Sequence, residues 1–214
     1  MTHVITKWLG QQDYQTTWAA MQAFTNARLP ATIDEIWFLE HSPVFTQGQN
    51  GKAEHVLAPG NIPVVQTDRG GQVTYHGPGQ LMVYVLADLK RQQLSIRDLV
   101  SALEQSVIDL LADEDVIAFA KQEAPGVYVS IANETHKLAS IGLRVRKGLS
   151  YHGMAFNVNM DLSPFNRINP CGFSGLKMTT LKALMPVDEV QQAAKLLLGY
   201  LMKHLGYTSA SSDG

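Results

Sequence analysis

Residues 69–80 read RGGQVTYHGPGQ and run straight into the apolar stretch LMVYVLA at 81–87, a junction that restricts the fold more than any other part of the chain. Four glycines, a proline, an arginine and a histidine fall within twelve residues. A core strand has no need of that composition. Gly70, Gly71, Gly77 and Gly79 can take backbone angles closed to other residues and let the main chain approach a ligand closely, while Arg69 and His76 supply polar ends. The glycine pairs separate three strand-like runs, PVVQTD at 63–68, QVTYH at 72–76 and LMVYVLADL at 81–89, so strands cluster around the segment.

Elsewhere helices alternate with strands. Residues 13–28 form a first helix with Trp18, Met21 and Phe24 or Thr25 at helical spacing, and Pro30 ends it. EIWFLEH at 35–41 is a strand, followed by the short run VFTQG. Ser95 with Asp98 resembles a capping box ahead of a helix whose apolar face includes Leu99, Leu103, Val107 and Leu110. GVYVSIA at 126–132 and KLASIGLRVR at 137–146 flank the turn NETH, a further strand covers 151–160, and a last helix covers 187–206. Hairpin-length connections outnumber helical crossovers, which predicts an α/β (α+β) fold with a mixed, largely antiparallel sheet covered by helices. At 214 residues the chain is expected to form a single domain over 1–208, with SASSDG at 209–214 as a disordered tail.

A net charge of −2 excludes a generally basic nucleic-acid binder. One cysteine cannot form an internal disulfide and fits a reducing compartment, so the expected location is cytoplasmic. MTHVITKWLGQQDYQ has no apolar leader core, and no apolar run approaches the ~20 residues of a membrane span.

That cysteine, Cys171, lies in INPCGFSG, a turn-rich, non-periodic segment in which a side chain is presented rather than packed. A thiol is a weak nucleophile until it loses its proton, and its reference pKa near ~8.5 leaves little thiolate at neutral pH without help. Lys137 falls in register with Ala139, Ile141, Leu143 and Val145, on the apolar side of its strand, opposite Ser140, Gly142, Arg144 and Arg146. An inward lysine needs an anion and a thiolate needs a cation, so a pair would satisfy both. The alternatives are a lysine that snorkels to solvent and a cysteine that is a small buried hydrophobe. His76 and His152, in YHGPG and YHGMA, are the other possible bases, or structural histidines. No C-x-x-C or H-E-x-x-H spacing suggests a metal, and GQNGKA at 48–53 fails as a phosphate loop because Ala53 replaces the hydroxyl residue. Together, the glycine segment and the lone cysteine suggest acyl chemistry.

RGGQVTYHGPGQ at 69–80, KLASIGLRVRKG at 137–148, YHGMAFNVNMDLSPF at 151–165 and INPCG at 168–172 closely resemble the bacterial octanoyltransferases of lipoate biosynthesis. The resemblance implies the fold of the biotin and lipoate protein ligase catalytic domain. It also implies a reaction: an octanoyl chain passes from acyl carrier protein to a cysteine thioester, and then to a lysine amine on apo lipoyl domains. The acceptors would be the lipoyl domains of 2-oxoacid dehydrogenases and the glycine cleavage H protein. It places the nucleophile at Cys171 and its activating partner at Lys137. Substrate contacts would come from Arg69, Gly70, Gly71, Gln72, Val73, Thr74, Tyr75 and His76, from Ser140, Ile141 and Gly142, and from Gly153, Met154 and Ala155. Thioester exchange is near neutral and thioester to amide runs downhill, so no cofactor, ATP or metal is expected.

Gly142, Gly153 and Ala155 would leave room for an alkyl chain, tight sheet packing being the other explanation. Arg144, Arg146, Lys147, Arg69, Arg167 and Lys177 are candidates for docking an acidic carrier. Competing readings are an ATP-dependent lipoate or biotin protein ligase, a non-catalytic acyl-binding module, and a cysteine hydrolase using His152.

Overall fold

The computed structural model describes residues 2–213. A nine-stranded sheet runs in the order β12 (Ser209–Ser212), β1 (His3–Gln12), β2 (Asp34–His41), β6 (Gln80–Leu86), β10 (Leu149–Asn157), β9 (Glu134–Arg146), β8 (Gly126–Ile131), β7 (Ala118–Ala120), with β11 (Lys177–Met178) also paired to β9. Pairing is antiparallel from β2 through to β7 and parallel for β12 with β1, β1 with β2, and β11 with β9. The fold is thus the mixed, largely antiparallel α/β architecture expected from the sequence.

β6 shows why its sequence is continuously apolar. Leu81, Val83 and Val85 enter a core shared with α2 (Ile96–Ala112) and α3 (Val190–Leu205), while Met82, Tyr84 and Leu86 join Met21 of α1 (Tyr14–Ala27) on the opposite face. A strand covered on both sides cannot alternate polar and apolar residues. Each large apolar side chain buried this way contributes about 1.5–3 kcal/mol. α2 begins where its sequence signals: Ser95 and Asp98 form the reciprocal capping box.

The glycine segment bridges two sheets. β3 (Val44–Gln47) pairs with β4 (Val64–Gln66) and β5 (Val73–His76) in a separate three-stranded sheet, and the chain crosses to β6 through Gly77, Pro78 and Gly79. Of the three runs around the glycines, then, only the last joins the main sheet. Gly79 has φ +84°, and a Cβ there would stand 2.0 Å from the carbonyl oxygen of Asn159, so only glycine fits the crossing.

Both ends of the chain depart from expectation. β1 was not anticipated, and it makes a parallel crossover to β2 through α1. The expected tail at 209–214 is in part a strand: Ser209–Ser212 pair with β1 at His3–Thr6, and the His3 ring lies 2.9 Å from Ser209 Oγ and 3.0 Å from Ser211 Oγ. All four strand residues are exposed. Backbone hydrogen bonds hold them, which a small polar composition does not announce.

Candidate active site

The structure brings most of the sequence-derived site residues around one cavity of about 490 Å³. Arg69, Gly70, Gly71, Gln72, Thr74 and His76 form one wall, Lys137, Ser140, Ile141 and Gly142 a second, Gly153 and Ala155 a third, and Cys171 stands at the edge. Val73, Tyr75 and Met154 do not line it. Val73 and Tyr75 pack with Phe45 and Phe165 under the small sheet, and Met154 is in the helix-side core, as strand alternation requires.

The end of β10 builds the cysteine position. β10 pairs with β9 from Leu149 opposite Arg146 to Phe156 opposite Ala139, and β11 then takes over the same edge, with Met178 opposite Lys137. Cys171 is in the segment between these strands, so the loop leaves and rejoins β9 beside the lysine. Lys137 Nζ lies 3.3 Å from Cys171 Sγ. Lys137 is 1% exposed, so it does not snorkel, and Cys171 is half-buried. Among the described residues Lys137 is the one polar side chain within hydrogen-bond distance of the sulfur. Cys171 itself has φ +57° and ψ +16°, a left-handed conformation that non-glycine residues seldom take.

Strict alternation put Lys137 on the face of Ala139, but a register slip corrects this. Pairing between β8 and β9 shifts between Val127 and Tyr128, and the consecutive residues Leu138 and Ala139 both enter the helix-side core. The bulge puts Lys137 out of phase with Ala139 and into the cavity wall with Ser140 and Gly142. Burial opposes the charge on Lys137, but attraction to Cys171 and Tyr128 outweighs it and raises the affinity of the amine for its proton. The ammonium is 5.1 Å from the Tyr128 ring centroid. Behind it, buried Glu104 of α2 accepts a 2.8 Å hydrogen bond from Gly126 N–H, and burial holds its carboxyl above the usual range. Glu104 was not anticipated, because in the sequence it is one polar residue within a helical repeat.

The glycine wall is organised differently. Arg69 donates from Nε and Nη2 to Thr46 Oγ1, at 3.1 and 2.8 Å, and from Nη2 to the carbonyls of Thr46 and Gln72. With its lone pairs so used, Thr46 Oγ1 donates to His76 Nε2 at 3.0 Å, and His76 Nδ1–H donates to Gln80 Oε1 at 2.8 Å. Gln80 Nε2 donates to Asn157 Oδ1, Asn157 Nδ2 to Thr179 O, and Thr179 N–H to Lys137 O. One hydrogen-bonded chain thus ties the glycine segment to the strand of Lys137. Burial keeps His76 far below its ordinary pKa, and both ring nitrogens are occupied, so it is a neutral structural histidine. Arg69 is 7% exposed and points inward, which removes it from the carrier-docking candidates.

His152 lies at φ +61°, and this kink lets both Tyr151 and His152 reach Asp68, His152 Nε2 at 2.9 Å from Oδ1. It lines the cavity, but its partner is a carboxylate rather than the thiol. Burial lowers its proton affinity despite Asp68. Gly142 and Gly153 serve close approach of backbones: a Cβ would fall 3.0 Å from Gly70 O in one case and 1.9 Å from Val83 O in the other. Tight packing therefore accounts for both glycines. Thr74 Oγ1 is buried on the cavity wall without a partner among the described residues.

A cavity with a buried amine beside a half-buried thiol, set in this α/β sheet, is a site with the chemistry to take an acyl group. Residues 13–201 match the lipoyl protein ligase A/B catalytic domain, and the chain belongs to that family. It is 58% identical over 199 residues to an octanoyltransferase of Shewanella denitrificans, covering 93% of this chain and 86% of that one. To an octanoyltransferase of Cellvibrio japonicus it is 56% identical over 204 residues, covering 95% and 93%. It is accordingly an acyltransferase of the octanoyltransferase group. The bipartite lipoate protein ligase of Thermoplasma acidophilum has the same fold, with a TM-score of 0.78 at 15% identity over all of this chain and 88% of that one. Biotin protein ligase from Aquifex aeolicus is more distant, at a TM-score of 0.54 and 13% identity, covering 96% and 70%. Among the described residues no helix is long and apolar enough to cross a membrane.

Proposed function

We propose that the chain transfers an octanoyl group from acyl carrier protein to a lysine of apo lipoyl domains through a thioester on Cys171. The observation that carries this is the 3.3 Å pairing of a buried lysine with the only cysteine, in the wall of the cavity. The Cys171 thiolate attacks the donor thioester carbonyl, and the carrier thiolate leaves and takes a proton from the Lys137 ammonium. Acylation removes the anion that holds that proton. Burial then dominates and leaves Lys137 as a neutral amine. The acceptor lysine amine attacks the Cys171 thioester, gives its proton to Lys137, and expels the thiolate, which restores the starting pair. The acceptors are the lipoyl domains of 2-oxoacid dehydrogenases and the glycine cleavage H protein, and the setting is cytoplasmic.

Incubation with octanoyl-loaded carrier, without ATP or metal, tests the reading by intact mass before and after hydroxylamine. The expected result is an octanoyl adduct on Cys171 that hydroxylamine removes and an apo lipoyl domain discharges. Transfer that appears only with ATP and free octanoate would instead make the chain a ligase.

A further inference from the structure

A second cavity, of about 220 Å³, shares a wall with the first: Asp68 lines it, and His152, bonded to Asp68, lines the other. Thr25 and Asn26 of α1, Arg144 and Arg146 of β9, and Tyr151 of β10 complete most of its surface. The volume is several times the roughly 30 Å³ share of a water molecule. Elsewhere α1 meets the sheet through Met21 and its apolar neighbours, so a polar hollow here is a departure from that packing.

The hollow offers donors and positive charge but few free acceptors. Neither Arg144 nor Arg146 has a carboxylate within salt-bridge distance among the described residues. Arg144 Nη1 donates to Gln49 at 2.9 Å and Arg146 Nη1 to Asn26 at 3.4 Å. The Arg144 guanidinium also lies beside the Tyr151 hydroxyl, yet among the described residues its Nε is shielded from solvent with no hydrogen-bond partner, and so is the hydroxyl of Thr25, a residue 5% exposed. Asp68, the one acid, is already occupied by Trp18, His152, Tyr151 and Gln22. A buried donor without an acceptor is unusual in a native structure and points to an absent one. Guanidinium groups match carboxylate and phosphate alike, and donors that converge from two different elements, the Thr25 hydroxyl on a helix and two arginines on a strand, can be met together by a tetrahedral oxyanion.

We propose that this second cavity is a phosphate-binding site, with Arg144, Arg146 and Thr25 as its donors. The phosphate is either free in solution or part of the phosphate-bearing arm on which a carrier holds its thioester. Only the second source rests on the function proposed above.

Titration of the intact protein with inorganic phosphate at constant ionic strength, followed by the ³¹P linewidth, tests the site directly. Saturable binding is expected, weakened about tenfold by Arg144→Gln and measurably by the isosteric Thr25→Val, with exposed Arg97→Gln as an unchanged control. No saturable binding, or binding equally strong in both variants with their melting transitions intact, overturns the proposal. Acylation of Cys171 by octanoyl-pantetheine and by octanoyl-4′-phosphopantetheine then separates the sources. Preference for the phosphorylated arm, lost in Arg144→Gln, assigns the site to the donor. Equal use of both arms beside saturable phosphate binding assigns it to free phosphate. Phosphate binding without acylation by either arm leaves the site standing and sinks the thioester mechanism.

Discussion

The two polar groupings that line the main cavity are built on opposite principles. On the glycine side, Arg69, Thr46, His76, Gln80 and Asn157 are joined in a chain in which the donors find acceptors. By contrast, Cys171 meets a single polar side chain among the described residues and sits in a left-handed backbone conformation. Saturated networks rigidify and specify a structure. A sparse, strained pair leaves an atom available for chemistry. Under the proposed mechanism the difference gives scaffold to one wall and reactivity to the other, although both are rich in groups that a sequence reader would take for catalytic.

The sharpest way to break this division is Lys137→Met, which keeps most of the volume and removes the charge. Octanoyl transfer is expected to fall by about a thousandfold or more, and alkylation of Cys171 by iodoacetamide at neutral pH to slow, while stability holds or rises because no buried charge remains to be solvated. Near wild-type transfer in a folded Lys137→Met protein would end the assignment of reactivity to this wall.

The mirror experiment is Thr46→Val. It leaves the buried Arg69 guanidinium short of acceptors and His76 without its donor, at a cost of about 2–4 kcal/mol in urea unfolding. The pH dependence of Cys171 alkylation should keep its shape, since His76, Gln80, Asn157 and Thr179 intervene before Lys137. A changed alkylation profile with little loss of stability would mean that the network is part of the chemistry.

The walls should also separate by pH. Burial lowers His41 to about 4 and moves His76 and His152 down as well. Each of these histidines takes up a proton less readily in the folded protein than in the unfolded chain, where protonation sets in below about 6.5. The unfolded state then binds more protons, so stability falls as pH drops from about 6.5 toward 4, by up to ~1.4 kcal/mol per pH unit for each proton. Asp68 is held below the usual carboxylate range and adds its loss only under more acidic conditions. Lys137 is shifted up, so its contribution is complete below its ordinary value near 10.5 and is lost only in stronger alkali. Urea denaturation at pH 7, 6 and 5 checks this, and a flat profile would show that the histidines are not buried as neutral groups.

What the sequence disclosed follows the same line. Periodicity and capping place α2 and β6 well, since both are fixed by local pattern and a continuous core. The setting of Cys171 among proline and glycines marked the thiol before any coordinates, whereas the register argument for Lys137 named the right partner from the wrong face of the strand. The bulge at Leu138 escaped, because an extra residue in one strand is set by its partner strand. β12 escaped because its partner is at the other end of the chain and its side chains carry no apolar signal, whereas β1 does carry one, in Val4, Ile5, Trp8 and Leu9, that was not read as a strand. The direction of Arg69 escaped as well: the same arginine can reach for a ligand or hold its own loop, and Thr46, which decides between them, lies 23 residues upstream.

The smallest expected effect has the opposite sign from the rest. At φ +57° and ψ +16°, the Cβ of Cys171 carries a conformational penalty of roughly 1 kcal/mol that glycine does not. In most positions alanine is more stabilising than glycine, because glycine loses more backbone freedom on folding. Here the order should reverse: Cys171→Gly is expected to unfold at higher urea than Cys171→Ala, by about 1 kcal/mol, both being inactive. If alanine proves equal or better, the left-handed turn is not held against strain, and Cys171 owes its exposure to loop sequence alone. If glycine wins, the chain gives up stability at the position where its thiol is presented, while the network from Arg69 to Asn157 keeps its hydrogen bonds.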